Sequence, residues 1–315
     1  MNISFWKRGR KLKPWSNRWF IFIFLGISLF CFIGFDLHCP SKFKRNPDLT
    51  LVTDIGDCRK PLWSPKSNDI FFLLNPESEE WGGLWKVTLG EEPQKLLEGT
   101  FLNFDISPDE TKAVLVKGTE YTERSLVLYD IEKKTIQIIE ISSKYPFDVS
   151  FSSKGNKIFY TISDKLGSYY SFWVKSFSNG EEKAIIESNV GSGDFDISPG
   201  DSLVIFRNAC YDITSSPPQK ISDGEHSVKL KFHPQKSNLI AMFSESRLLY
   251  VKDIIKNEVL DSIDIRPYKE PEFPDPPDWS PDGSKIVFSC NPPSGIGKHL
   301  PAELWIINNV DKYIK

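Results

Sequence analysis

An all-β fold, a six-bladed β-propeller of four-stranded antiparallel blades preceded by one N-terminal transmembrane helix, is predicted by three observations. First, a short tag recurs six times: Trp63-Ser64-Pro65, Ile106-Ser107-Pro108, Phe151-Ser152-Ser153, Ile197-Ser198-Pro199, Phe232-His233-Pro234 and Trp279-Ser280-Pro281. The third positions lie 43, 45, 46, 35 and 47 residues apart, the length of one four-stranded blade. Second, a turn cluster and then a β-branched or aromatic run follow each tag. Third, 13% aromatics and 22 Pro against two Met favour short strands and many turns over long helices.

The elements follow in chain order. Residues 1–18 carry Lys7, Arg8, Arg10, Lys11, Lys13 and Arg18 and no acid. From Trp19 to Phe35 there are seventeen residues without a charge, twelve of them Phe, Ile or Leu. At ~0.3–0.6 kcal/mol gained per such residue near a helix centre, insertion into a bilayer is favourable, and a transmembrane helix is predicted over 19–37. The basic flank keeps the N-terminus cytoplasmic and sends the body to the extracytoplasmic side, periplasmic or extracellular. A cleaved signal peptide is the rival reading, but the apolar run exceeds the usual h-region and no small-x-small site follows. Residues 38–48 read as a linker. Formal net charge is −3, so the six basic residues of the tail leave −9 on the remainder, which excludes a general nucleic-acid footprint.

Residues 49–315 hold the repeats. Second strands are predicted at Asp69 to Leu74, Lys112 to Val116, Lys157 to Thr161, Ser202 to Phe206, Asn238 to Phe243 and Lys285 to Ser289. Each repeat then supplies one aromatic on a third strand: Trp85, Tyr129, Trp173, Tyr211, Tyr250 and Trp305. Their recurrence reads as packing between blades, since large rings fill wedge-shaped gaps. Fourth strands follow, as at Gln94 to Leu97, Thr135 to Ile139 and Glu258 to Ile263. The last repeat stops at its third strand, while an orphan segment, 49–54, precedes the first tag. It is predicted to pair with residues 303–308 as the outer strand of the last blade, closing the ring and protecting two edges. The fourth repeat is short, so its second and third strands must join tightly through Asn208 to Tyr211.

The pattern Asp278-Trp279-Ser280-Pro281-Asp282-Gly283-Ser284-Lys285-Ile286-Val287-Phe288, followed by Glu303-Leu304-Trp305-Ile306-Ile307, resembles the repeat of TolB-like propellers, distant relatives of WD-repeat proteins. It covers about residues 49–315 and is degenerate in the third and fifth repeats, where Ser153 replaces Pro and His233 replaces Ser. The resemblance implies a protein-binding platform; some such propellers precede a serine-hydrolase domain or carry a metal at the channel mouth. A hydrolase needs a second domain and a Gly-x-Ser-x-Gly elbow, and the chain has neither. Gly191-Ser192-Gly193 lacks the spacing. Only His38, His226, His233 and His299 are available as imidazole ligands, and His226 with His233 reads as surface or turn residues.

The positions just before the tags are Leu62, Asp105, Ser150, Asp196, Lys231 and Asp278. If first strands line the channel, Asp105, Asp196 and Asp278 converge near one mouth beside Lys231. They either hold a hard cation or accept backbone hydrogen bonds from neighbouring blades, and the second reading is preferred. Pro267 to Pro281 strings Glu270, Glu272, Asp275 and Asp278 between six prolines, a stiff acidic loop serving as spacer or partner site. Cys58, Cys210 and Cys290 fall in the body, where one disulfide and buried thiols both fit. No cofactor is expected. The function expected is a membrane-anchored, non-catalytic scaffold for a protein or an envelope polymer. The alternative is a propeller enzyme, a glycan hydrolase or lyase using channel-mouth carboxylates.

Overall fold

The computed structural model describes residues 44–314, apart from 77, 79, 80, 120, 121, 188–192, 207, 208, 224–228, 244–247 and 294–299. The tail, the predicted span 19–37 and most of the linker lie outside the described residues. Among those described, no helix is long and apolar enough to cross a membrane.

Six four-stranded antiparallel sheets follow one another along the chain. Blade one is β2 (Cys58–Trp63), β3 (Asp69–Leu74), β4 (Gly83–Thr88) and β5 (Gln94–Glu98). Blade two is β6 (Phe101–Ile106), β7 (Lys112–Lys117), β8 (Ser125–Asp130) and β9 (Thr135–Ile139). Blade three is β10 (Pro146–Phe151), β11 (Lys157–Ser163), β12 (Tyr170–Ser176) and β13 (Glu182–Glu187). Blade four, the short one, is β14 (Phe195–Ile197), β15 (Leu203–Phe206), β16 (Ala209–Asp212) and β17 (Gln219–Asp223). Blade five is β18 (Leu230–His233), β19 (Lys236–Phe243), β20 (Leu249–Asp253) and β21 (Glu258–Ile263). Blade six is β22 (Asp278–Trp279), β23 (Ile286–Cys290), β24 (Glu303–Ile307) and, from the other end of the chain, β1 (Leu49–Thr53).

The second strands read as unbroken apolar runs because each is buried on both faces. Along β3, Ile70, Phe72 and Leu74 pack with Val287 and Ile306 of blade six, whereas Phe71 and Leu73 pack with Phe104 and Leu115 of blade two. The same alternation on the other second strands yields six apolar clusters, one at each junction between neighbouring blades, including the junction that closes six onto one. The predicted third-strand aromatics distribute one to a cluster: Trp85, Tyr129, Trp173, Tyr211, Tyr250 and Trp305. The core is therefore a set of wedges between sheets.

The tags close the turns. The serine hydroxyl at the middle position accepts from the backbone N–H five residues on, at 3.0 Å for Ser107, 3.1 Å for Ser152, 2.9 Å for Ser198 and 2.9 Å for Ser280. Those serines are buried. The fourth turn position is left-handed, φ +69° at Gly155 and +74° at Gly283, which explains the glycine there. In blade five His233 takes the serine's place: its Nδ1 accepts from Gln235 N at 3.1 Å, and its ring leans on Trp279. The imidazole is buried within the turn, not on the surface, and desolvation holds it neutral, down to about 4.

Ring closure is the predicted one. β1 pairs antiparallel with β24, Leu49 opposite Ile307 and Leu51 opposite Trp305. A short 3₁₀ turn at Val310–Lys312 then folds back, so that Asp48 accepts from Tyr313 Oη at 2.9 Å and from Lys312 Nζ. The three body cysteines are buried free thiols. Desolvation pushes Cys58 up to about 12 and Cys210 up to about 11, so neither is a ready nucleophile.

Candidate functional site: the central channel

The six first strands, with the residues that lead into them, line a polar channel. The inner ring is the predicted set, Leu62, Asp105, Ser150, Asp196, Lys231 and Asp278, around a constriction of about 80 Å³. Each carboxylate reaches forward to the next blade and accepts the backbone N–H of the residue that opens its tag. Asp105 takes Phe151 N, Asp196 takes Phe232 N and Asp278 takes Trp63 N, each at 2.6 Å. Ser150 Oγ adds a bond to Asp105 at 2.7 Å. Lys231 Nζ lies 3.0 Å from Asp196 Oδ1, and the charges of Asp196, Asp278 and Asp105 together hold its ammonium above the usual lysine range against the desolvation that opposes them. Where sequence offered a hard cation, the chain supplies its own positive charge. Among the described residues, no group of three or more His, Cys, Asp or Glu is placed to hold a metal ion.

The other face of the alternation is at the turn tips. Glu110 of blade two accepts from Lys66 N of blade one at 2.8 Å, and Asp201 of blade four from Ser153 N of blade three at 2.8 Å. Gln235 of blade five donates to Pro281 O of blade six at 3.1 Å. Tip bonds thus join blades one–two, three–four and five–six, while the inner-ring carboxylates join two–three, four–five and six–one.

Desolvation is the largest influence on the ring acids. It raises Asp105 and Asp196 despite the compensation from Lys231, and carries Asp278 up to about 7. The native state therefore holds a proton on Asp278 that the unfolded chain releases near pH 4. This contribution is present below that pH and is lost as pH rises to about 7. His233, neutral when folded, works in the opposite direction below pH 6.5. Asp278→Asn keeps an acceptor for Trp63 N and cancels only the first effect. The loss of unfolding free energy between pH 4.5 and 7.5, measured in urea, is expected to be smaller in the variant by about 2–3 kcal/mol. Equal pH slopes would show that Asp278 titrates normally.

One position further along the channel lies a second ring that sequence reasoning missed: Lys60, Asn103, Asp148, Asp194 and Lys229. Its signal was present, two residues upstream of each predicted ring position. Asn103 Nδ2 donates to Asp148, whose other oxygen accepts from Phe195 N at 3.2 Å. Desolvation first, then the nearby charge of Asp194, pushes Asp148 up to about 7, with Lys60 opposing. Lys60 Nζ stands 3.8 Å from Asp194. Lys60 itself has φ +51° immediately before Pro61, a conformation disfavoured for a residue with a side chain, at an irregularity in the pairing of β2 with β3.

The acidic Pro267 to Pro281 connection is not a free-standing arm. Phe273 stacks on Phe243 with ring centroids 4.5 Å apart, and Asp275 is buried, bonded to Arg59 Nε at 2.7 Å and Ser289 Oγ at 2.8 Å. Desolvation opposes the charge on Asp275, but Arg59 and Lys60 hold it below the usual carboxylate range. Only Lys269, Glu270 and Glu272 remain on its exposed side. Pro274, Asp275 and Pro276 form part of the channel's far mouth, a cavity of about 240 Å³; the mouth on the tag face is wider, about 450 Å³.

Solved structures share this architecture. The WD40 repeats of RRP9 superpose over 84% of this chain and 98% of that one, with TM-score 0.54 and 11% identity. The fold they share is the β-propeller. An oligogalacturonate lyase in complex with manganese superposes over 83% of this chain and 93% of its own, with TM-score 0.54 and 12% identity. TolB from Acinetobacter baumannii aligns over 80% and 54%, with TM-score 0.44 and 14% identity. No protein-family model matches the chain, and no curated protein does. At such identities the likeness is one of fold, and function has to be argued from the site.

Proposed function

We propose that this propeller is a membrane-anchored, extracytoplasmic, non-catalytic scaffold that binds a partner protein on the face opposite the tags. The observation that carries the reading is where unsatisfied surface lies. The inner-ring acids are engaged by backbone N–H groups and by Lys231, whereas large apolar side chains stand exposed on the connections between second and third strands. Trp81 is 65% exposed, Leu166 85%, Tyr169 54% and Leu300 41%. They come from blades one, three and six, and antiparallel topology puts all such connections on one face. With Ile55 they outnumber the exposed apolar side chains on the connections of the tag face, Phe177 and Ile255, and a surplus of exposed apolar groups marks an interaction surface. The uncharged run from Trp19 to Phe35 supports the anchor.

A photoreactive phenylalanine placed at position 81 or 166 of the full chain in its native membrane tests this. Discrete protein adducts are expected there and not from positions 133 or 178 on the tag face; identical labelling from both faces would sink the reading.

An enzymatic second reading is favoured by one fact: Asp148 and Asp278 both sit up at about 7, the range of a general acid or base, and both face the channel. Saturable glycan turnover abolished by Asp278→Asn in a still-folded protein would establish that reading in place of the scaffold.

A further inference from the structure

The far mouth has a chemistry of its own. Its 240 Å³ cavity is walled by Phe101, Phe147 and prolines and carries three cations, Arg59, Lys60 and Lys229, against two carboxylates, Asp194 and Asp275. Arg59 is committed to Asp275 through two bonds, at 2.7 and 3.4 Å. Lys60 meets Asp194 only at 3.8 Å. Lys229 is the one left over. Its ammonium donates to the carbonyl of Phe273, and no carboxylate lies within 4.0 Å of it among the described residues.

Among the described residues, this partly desolvated ammonium faces an apolar-walled cavity with no anion in contact with it. Lys229 already shows the strain: desolvation, with Arg59 and Lys60 nearby, lowers its pKa even though Asp275 and Asp194 oppose them. Lys60, at the irregularity in β2, puts a second cation into the same space. The cavity opens on the face where Trp81, Leu166 and Tyr169 are exposed, since Pro76, Gly118 and Thr119 on its rim belong to the same set of connections.

We infer that this mouth receives a carboxylate carried beside an apolar side chain on a segment of the partner protein, with Lys229 as its ion-pair partner and Phe101 and Phe147 flanking the apolar part. The inference rests on the scaffold reading and names the chemistry of its binding site. An aliphatic or aromatic group beside one carboxylate matches the cavity: the walls take the first, and the uncompensated charge takes the second. A chain terminus and an acidic side chain present the same group.

The test is calorimetric titration of the full chain in detergent micelles with N-acetylphenylalanine, which mimics a chain terminus, N-acetylglutamate α-amide, which mimics a side chain, and N-acetylphenylalaninamide, which lacks the charge. Saturable millimolar binding of at least one acid is expected, with none for the neutral amide. Which acid binds more tightly assigns the source of the carboxylate. Lys229→Gln is expected to weaken binding at least tenfold. Lys229→Arg is expected to keep it within about threefold, which separates loss of charge from loss of fold; Lys133→Gln on the tag face should change nothing. Acid and amide titrating alike, or Lys229→Gln binding like the parent, would overturn the inference. Adducts from positions 81 and 166 persisting alongside such a result would remove only the carboxylate chemistry. Carboxylate binding without those adducts would instead remove the partner surface.

Discussion

The body comprising residues 44–315, shortened to begin at residue 54, is expected to lose cooperative unfolding in urea. β1 closes the ring by an interaction that no neighbouring strand can replace: it comes from one end of the chain and pairs with β24 near the other. Its removal strips the outer edge of Glu303–Ile307. It also withdraws Leu49 from the cluster between blades five and six and Val52 from the one between six and one. Four register pairs at about 1 kcal/mol per net hydrogen bond, with two half-buried apolar side chains at about 1 kcal/mol each, amount to roughly 6 kcal/mol. That is comparable to the whole stability of an ordinary domain, about 5–15 kcal/mol. The bared edge also invites pairing with other chains. A broad, shallow transition with concentration-dependent aggregation is the expected readout; a sharp transition at an unchanged midpoint would mean that six blades close without the strap.

Lys231→Met is expected to produce the second large effect. The substitution leaves Asp105, Asp196 and Asp278 facing one another with their shared cation gone, and removing one partner of a buried pair typically costs about 3–5 kcal/mol. The side chain of Lys231 is 29% exposed, so solvent screening reduces the expected loss to about 2–3 kcal/mol. Each of the three acids then binds its proton more tightly in the folded state. The variant should consequently lose more stability between pH 5 and 8 than the parent does. Asp196→Asn added to Lys231→Met should recover part of the deficit. An unaltered urea midpoint at both pH values would show that the ammonium plays no structural part, and would reopen the channel acids as ligands for an external cation.

Repeat number, ring closure and the core were all legible in the sequence because each depends on local periodicity. Asp69 to Leu74, Thr135 to Ile139 and Glu258 to Ile263 coincide with observed strands, since turn chemistry and β-branched runs fix them without reference to distant chain. The preferred role of Asp105, Asp196 and Asp278 as inter-blade acceptors is also what the structure shows. Other contacts were not legible. Arg59 meets Asp275 across 216 residues, and Lys60 meets Asp194 only because the circle brings blades one and four to a common axis. Which charge in a ring faces which is decided by closure geometry, to which spacing along the chain is blind. What Pro267 to Pro281 packs against was hidden for the same reason: composition displayed its carboxylates, but not that Asp275 turns inward onto Arg59, far away along the chain.

The staggered fastening of the blades has a mechanical corollary. The ties sit at two depths along the axis, at the lip of the wider opening and inside the passage, and every seam carries at least one of them. The seam between blades three and four carries both, through Asp201 and through Asp148. No blade can tilt without loading a fastener on each flank, so a torque applied at any spoke is shared around the wheel.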